Sequence, residues 1–172
     1  MDYFLTPNYV ITTTNVGRSV DQTMITPVIA TSADMWVRSI MGTEFYQYLL
    51  VEYNNQTLNA DETILVADYI KPAVAWRTAS EVVIDSSIQI RNKGAQKQTG
   101  DYSNDADFSQ LGYITKNTQQ KAMFYENRLS VYLWENRALF PEFEDPDNKD
   151  SSAKKTGCYT TGSNFQSGIN FM

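Results

Sequence analysis

Carboxylates are the side chains this sequence supplies in quantity for acid–base or metal chemistry. Five of them, Glu142, Glu144, Asp145, Asp147 and Asp150, cluster just before the C-terminal stretch. A calcium loop needs alternating oxygen ligands, a glycine at its sharp turn and a distal bidentate Glu. The run Asp145-Pro146-Asp147-Asn148-Lys149-Asp150 has no glycine and carries a lysine, so it reads as a solvated acidic linker. A glycosidase needs two carboxylates held on rigid elements across a cleft, and the sequence marks out no such pair. Histidine is absent, which removes the commonest general base, the His-based triads and the usual zinc ligand sets. The single cysteine, Cys158, has no base near it in sequence and excludes an intramolecular disulfide. No residue is assigned a catalytic role, and neither a metal nor a cofactor is expected.

Binding chemistry is better represented. Arg91, Lys93 and Lys97 give +3 with no acid between Ile88 and Gly100, whereas residues 142–150 carry five acids against one lysine. Opposite charges on two projecting segments suit docking between copies or onto a partner. Ile90, Arg91, Lys93 and Lys97 are therefore candidate docking residues. A phosphate site is the weaker reading, because no glycine-rich loop leads into a helix start. Beyond Glu142 the chain is rich in Ser, Thr, Gly and Asn, yet Phe143, Tyr159, Phe165 and Phe171 recur singly within it. Such a stretch buries too little to fold alone, so these four aromatics read as anchors for a partner.

Those residues must be held by a mainly α-helical scaffold. Over residues 1–20 the β-branched run Val10 to Thr14, with Pro7 and Gly17 as breakers, predicts an extended N-terminal arm. Asp21 caps a first helix whose stripe is Ile25, Ile29, Ala33, Trp36 and Ile40, stopped by Gly42. A short helix from Thr43 ends at Asn54-Asn55. A third runs from Asn59 or Asp61 to about Ile84, apolar nearly all round at its middle and kinked at Pro72. Ser87 to Arg91 alternates polar and apolar, and Asn92-Lys93-Gly94 is a turn, so residues 85–107 read as a hairpin-like excursion. The longest helix is capped by Asp107 or Ser109 and reaches about Arg137, with Leu111, Ile114, Thr118, Tyr125, Leu129, Tyr132 and Asn136 in its stripe and Phe124, Leu133 and Trp134 beside it. The expected architecture is a small helical bundle over residues 21–140, a β-hairpin-like insertion, and extended arms at 1–20 and 141–172.

The full chain has 172 residues with 14 Lys+Arg against 20 Asp+Glu, a net charge of −6. A protein gripping nucleic acid over a long footprint needs excess cations, so that role is disfavoured. The opening MDYFLTPNYV has no basic region before an apolar run, and no secretory leader is expected. No stretch approaches the roughly 18 apolar residues of a membrane span.

The joint pattern resembles head-to-tail connector proteins of tailed bacteriophages, particularly those of crAss-like and related Bacteroidota phages. The matching pieces are Ser19-Val20-Asp21, Ile25-Thr26-Pro27-Val28-Ile29, Gly42-Thr43-Glu44-Phe45-Tyr46 and Leu58-Asn59-Ala60. They continue through Asp68-Tyr69-Ile70-Lys71-Pro72-Ala73-Val74-Ala75-Trp76 and Ile90-Arg91-Asn92-Lys93-Gly94-Ala95. Phe124-Tyr125-Glu126-Asn127-Arg128-Leu129 and Phe140-Pro141-Glu142-Phe143 close the match, which covers residues 3 to 143 in order and spacing. One departure is Arg38-Ser39-Ile40-Met41, where such sequences often carry a second proline before the Gly-Thr turn.

The resemblance implies a structural virion protein and not an enzyme, made in the cytoplasm of a bacterial host. Roughly twelve copies would close into a ring at the head–tail junction, between the portal protein and the next tail ring. Viral DNA would pass through the ring without specific binding. The alternatives are another tail ring, such as a tail-completion or stopper protein, or a helical small-molecule-binding enzyme using the Trp/Tyr-rich interior. On the connector reading, a chain lacking residues 144–172 is expected to fold but not to join the portal.

Overall fold

Why the chain becomes helical where it does is visible at its caps. In the computed structural model, which describes residues 3–91, 94–97 and 108–155, Asp21 accepts the Thr23 amide at 2.9 Å and starts α2 (Gln22–Ser32). Asn59 and Glu62 form a reciprocal capping box that starts α5 (Ala60–Ile64). Each device satisfies amides that the first helical turn leaves without a carbonyl.

Ahead of these lies α1 (Pro7–Thr13), which replaces the extended arm expected over residues 1–20. Proline at the first helical position costs no hydrogen bond. Burial of Phe4, Leu5, Val10 and Val16 outweighs the weak helix preference of the Thr-rich run. Phe4, at φ 64°, turns its ring between Tyr46 and Tyr53, with centroids at 5.7 and 5.4 Å.

α2 runs without a break through a π-helical turn (Ala33–Val37) into α3 (Arg38–Met41). The extra residue in that turn shifts the phase of the stripe. Val37 therefore enters the core, fully buried, in place of the expected Trp36, which stays 37% exposed. Gly42, at φ 88°, separates α3 from α4 (Thr43–Asn55). A second π-helical turn (Leu65–Ile70) joins α5 to α6 (Lys71–Ser87), with the Lys71 amide reaching back five residues to the Val66 carbonyl. The hydrogen-bond ladder is already displaced by one residue where Pro72, which has no amide to give, enters it.

After α6, β1 (Ile88–Arg91) pairs antiparallel with β2 (Gly94–Lys97), Ile88 opposite Lys97 and Arg91 opposite Gly94. The rest of the expected excursion, 92–93 and 98–107, lies outside the described residues. α7 (Phe108–Glu135) then returns along α6, forming the largest helix–helix interface of the fold. A 3-10 turn (Arg137–Leu139) and α8 (Pro141–Glu144) follow. One core collects Ile25 and Ile29 from α2, Phe45 and Leu49 from α4, Leu65, Ile70 and Val74 from the α5–α6 helix, and Leu129 and Leu133 from α7. Phe140 and Phe143 close it beneath α4.

A largely buried ion pair joins α6 to α7. Arg77 on α6 makes two hydrogen bonds to the Glu126 carboxylate on α7, at 2.6 and 2.7 Å. The same guanidinium lies 3.8 Å from the Trp36 ring centroid. Displaced from the core by the π turn, Trp36 thus ties its helix to the other two. Among the described residues no helix is long and apolar enough to cross a membrane.

Candidate functional site

The sequence-derived docking residues divide. Ile90 and Arg91 stand on β1 and Lys97 on β2, so backbone pairing brings these three into one two-stranded unit; Lys93 lies outside the described residues. Tyr159, Phe165 and Phe171, like Cys158, also lie outside them.

Phe143 is not a partner anchor. It is fully buried within its own protomer, 5.7 Å from the Phe45 ring. The end of α8 packs against α4, so the stretch expected to extend from residue 141 instead belongs to the body as far as Ala153, which is also fully buried. The acidic run is correspondingly more than a solvated linker. Ser151 donates to the Ile40 carbonyl, and Asn148 Nδ2 donates to the Met41 carbonyl at 2.9 Å and the Phe143 carbonyl at 3.2 Å. Asp150 accepts the Thr43 amide at 2.8 Å and also its hydroxyl. Gly42 has no side chain with which to cap α4, so Asp150 supplies the cap from 107 residues away. The Thr43 hydroxyl and amide hold the Asp150 carboxyl below the usual carboxylate range.

Three of the four most exposed large apolar side chains among the described residues lie on α7, the fourth being Met35 in the first π-helical turn, 61% exposed. Tyr113 is 72% exposed, Phe124 63% and Met123 61%. Farther along, Phe124, Asn127, Arg128, Val131 and Tyr132 join Tyr69 around an open groove of about 290 Å³. Tyr69 and Tyr132 stack there with centroids 3.8 Å apart, and Arg128 stands 4.7 Å from the Tyr69 ring. Burial, then the neighbouring Tyr69, Asp61 and Asp68, raise the Tyr132 hydroxyl above its ordinary pKa. Elsewhere Tyr48 donates to Glu62 at 2.9 Å, and burial followed by Glu62 pushes its hydroxyl up to about 12. These rings and charges suit a contact with another polypeptide. Among the described residues no group of three or more potential metal ligands gathers.

Charge is unevenly distributed over this surface. Residues 43–70, which contain α4 and α5, carry five acids and no Lys or Arg. On α7, Lys116, Lys121 and Arg128 outnumber Glu126 and Glu135, and Glu126 is occupied by Arg77. Sequence reading placed Phe124 beside the buried stripe of α7 and overlooked Tyr113. Their spacing of 11 residues, three helical turns on one side of the helix, was the available signal.

A protein whose fold is a helical body latched by its own C-terminal strap is thus defined, with an aromatic and basic outer helix. The chain belongs to a family of unknown function (DUF6712), whose pattern matches residues 37–153, from the π turn to the end of the strap. No curated protein and no solved structure matches the chain.

Proposed function

We propose that the chain is a structural virion subunit that assembles into a ring joining the portal vertex to the tail and continuing the DNA channel. The observation carrying this reading is the surface of α7, where Tyr113, Met123 and Phe124 are each more than 60% exposed beside cations. A heterologous ring requires each subunit to offer two different, complementary surfaces. An acidic α4–α5 segment and a net basic α7 supply that difference. The order and spacing of the connector-like pieces support the same assignment, as does a net charge of −6, which limits phosphate contacts that would retard DNA. In this reading Ile90, Arg91 and Lys97 of the strand pair, with Lys93, dock against the next subunit or ring. Tyr159, Phe165 and Phe171 anchor the C-terminal segment on the portal.

Light scattering and electron micrographs of the purified chain, alone and with the portal protein, test the proposal. Closed rings of uniform subunit number are the expected result. A monomer at every concentration that also ignores the portal overturns it.

A further inference from the structure

α7 has two working faces. Its inner face buries Thr118, Ala122, Leu129 and Leu133. On the opposite side Tyr113, Asn117, Gln120, Phe124, Asn127 and Val131 follow one another at steps of four and three residues, all exposed or half-buried. That alternation is the spacing by which one helix presents a continuous ridge to another. A helix packed on one side normally keeps the opposite side polar. Here two aromatic rings, 72% and 63% exposed, stand on it, separated by three turns.

The flanks of the ridge are cationic. Lys121 lies over the Trp76 ring at 4.5 Å and Arg128 over Tyr69 at 4.7 Å, while Lys116 is exposed one turn earlier. Two α7 ridges facing each other would set these cations against cations. The complementary surface is on α4. Its outer edge, Glu44, Gln47, Val51 and Asn55, is exposed and also steps by three and four residues. Val51 contributes an apolar contact at 47% exposure, and no Lys or Arg occurs between Thr43 and Ile70. α4 packs on α8 and α3, and α7 chiefly on α6 with a further contact to α3, so the two ridges stand on different helices of the subunit.

We propose that the outward ridge of α7 receives the outward edge of α4 from a second copy of this chain. The inference rests on the ring reading above and names its contact. The aromatic pair Tyr113 and Phe124 packs against the Val51 region, and Lys116 and Lys121 face Glu44 and Glu52 of the neighbour. The contact is heterologous, as closure of a ring requires.

Disulfide trapping on the assembled, full-length chain tests it. Gln120→Cys and Gln47→Cys are made separately in a Cys158→Ser background, mixed and oxidised. The expected product is the mixed 47–120 dimer, in several-fold excess over either symmetric dimer. Lys116→Glu with Lys121→Glu reduces that product several-fold, and Glu44→Lys with Glu52→Lys in the other partner restores it. A predominant 120–120 dimer overturns the proposal in favour of symmetric α7 pairing. In a second arm Gln120→Cys is combined with the native Cys158. A dominant 120–158 disulfide within one chain overturns the proposal by placing the C-terminal segment on the ridge. Assembly into rings without the mixed dimer refutes this contact and leaves the ring reading standing. Failure of the unmodified chain to assemble, alone or on the portal, refutes both.

Discussion

The Asn148 carboxamide fills the space that a side chain at Gly42 would need. A Cβ built on Gly42 overlaps Oδ1, Cγ and Nδ2 of Asn148, which is itself completely buried. The backbone of Gly42 also stands at φ 88° and ψ 152°, a region that residues with a Cβ rarely enter. Position 42 is thus constrained twice, by its own dihedrals and by a residue from the far end of the fold.

Gly42→Ala is expected to destabilise the protein by about 1–3 kcal/mol from backbone strain alone. Asn148→Ala strands the Met41 and Phe143 carbonyls and is expected to cost about 1–3 kcal/mol. The double variant should lose less than the sum, because removing the carboxamide relieves the overlap. Urea unfolding of the three variants measures this; strict additivity would refute the packing relationship.

Truncation behaves differently on the two sides of Lys155. A chain ending at Phe143 loses Asn148, Asp150 and Ser151, all of which hold the α3–α4 junction. It is expected to unfold well below the full chain, correcting the expectation that residues 144–172 are dispensable for folding. A chain ending at Lys155 keeps the strap and should melt within a few degrees of the full chain. In the proposed function it no longer joins the portal, and calorimetry with a portal-binding assay separates the two effects.

Removing one member of the Arg77–Glu126 pair leaves a buried charge without its counterpart. Glu126→Leu or Arg77→Met alone is expected to cost about 3–5 kcal/mol. The double replacement Arg77→Met with Glu126→Leu should be the milder change. Denaturant midpoints for the set provide the coupling energy, and a double variant as damaged as the sum of the singles contradicts the assignment.

Two groups give the stability curve opposite slopes at its ends. Asp150 titrates below its unfolded value when Thr43 donates to it, so its contribution is complete above about pH 4 and is lost as pH falls through the folded value. Asp150→Asn should flatten the acid limb. Tyr48 is pushed up to about 12, so its contribution is present below the ordinary tyrosine value and lost as pH rises toward that figure. Tyr48→Phe should flatten the alkaline limb. Unfolding free energies across both ranges check the two signs.

Reversing Arg91, Lys93 and Lys97 to Glu is expected to weaken assembly, and the effect should shrink as salt is raised. An unchanged assembly curve at low salt removes the strand pair from the interface.

Local chemistry made much of the helical body legible. Asp21, Asn59 and Gly42 are cap and stop residues whose partners lie within a turn, and each marks a real boundary. Trp36 was misplaced because a stripe read at regular spacing contains no sign of a π turn, and one inserted residue exchanges it with Val37. The N-terminal helix was hidden by its Thr-rich composition, since its stabilisation comes from the burial of Phe4 and Val10 against distant elements. The strap was illegible for a related reason. Asn148, Asp150 and Ser151 are ordinary capping types, but the groups they cap lie more than a hundred residues earlier. The α7 ridge was readable in principle, yet attention to the buried stripe concealed the second one.

Synthesis gives the strap a consequence in time. The elbow between α3 and α4 leaves the ribosome more than a hundred residues ahead of the residues that lock it. A growing polypeptide therefore carries this joint unfastened until Asn148, Asp150 and Ser151 have been made. A fastened elbow belongs only to molecules whose translation has passed Ser151.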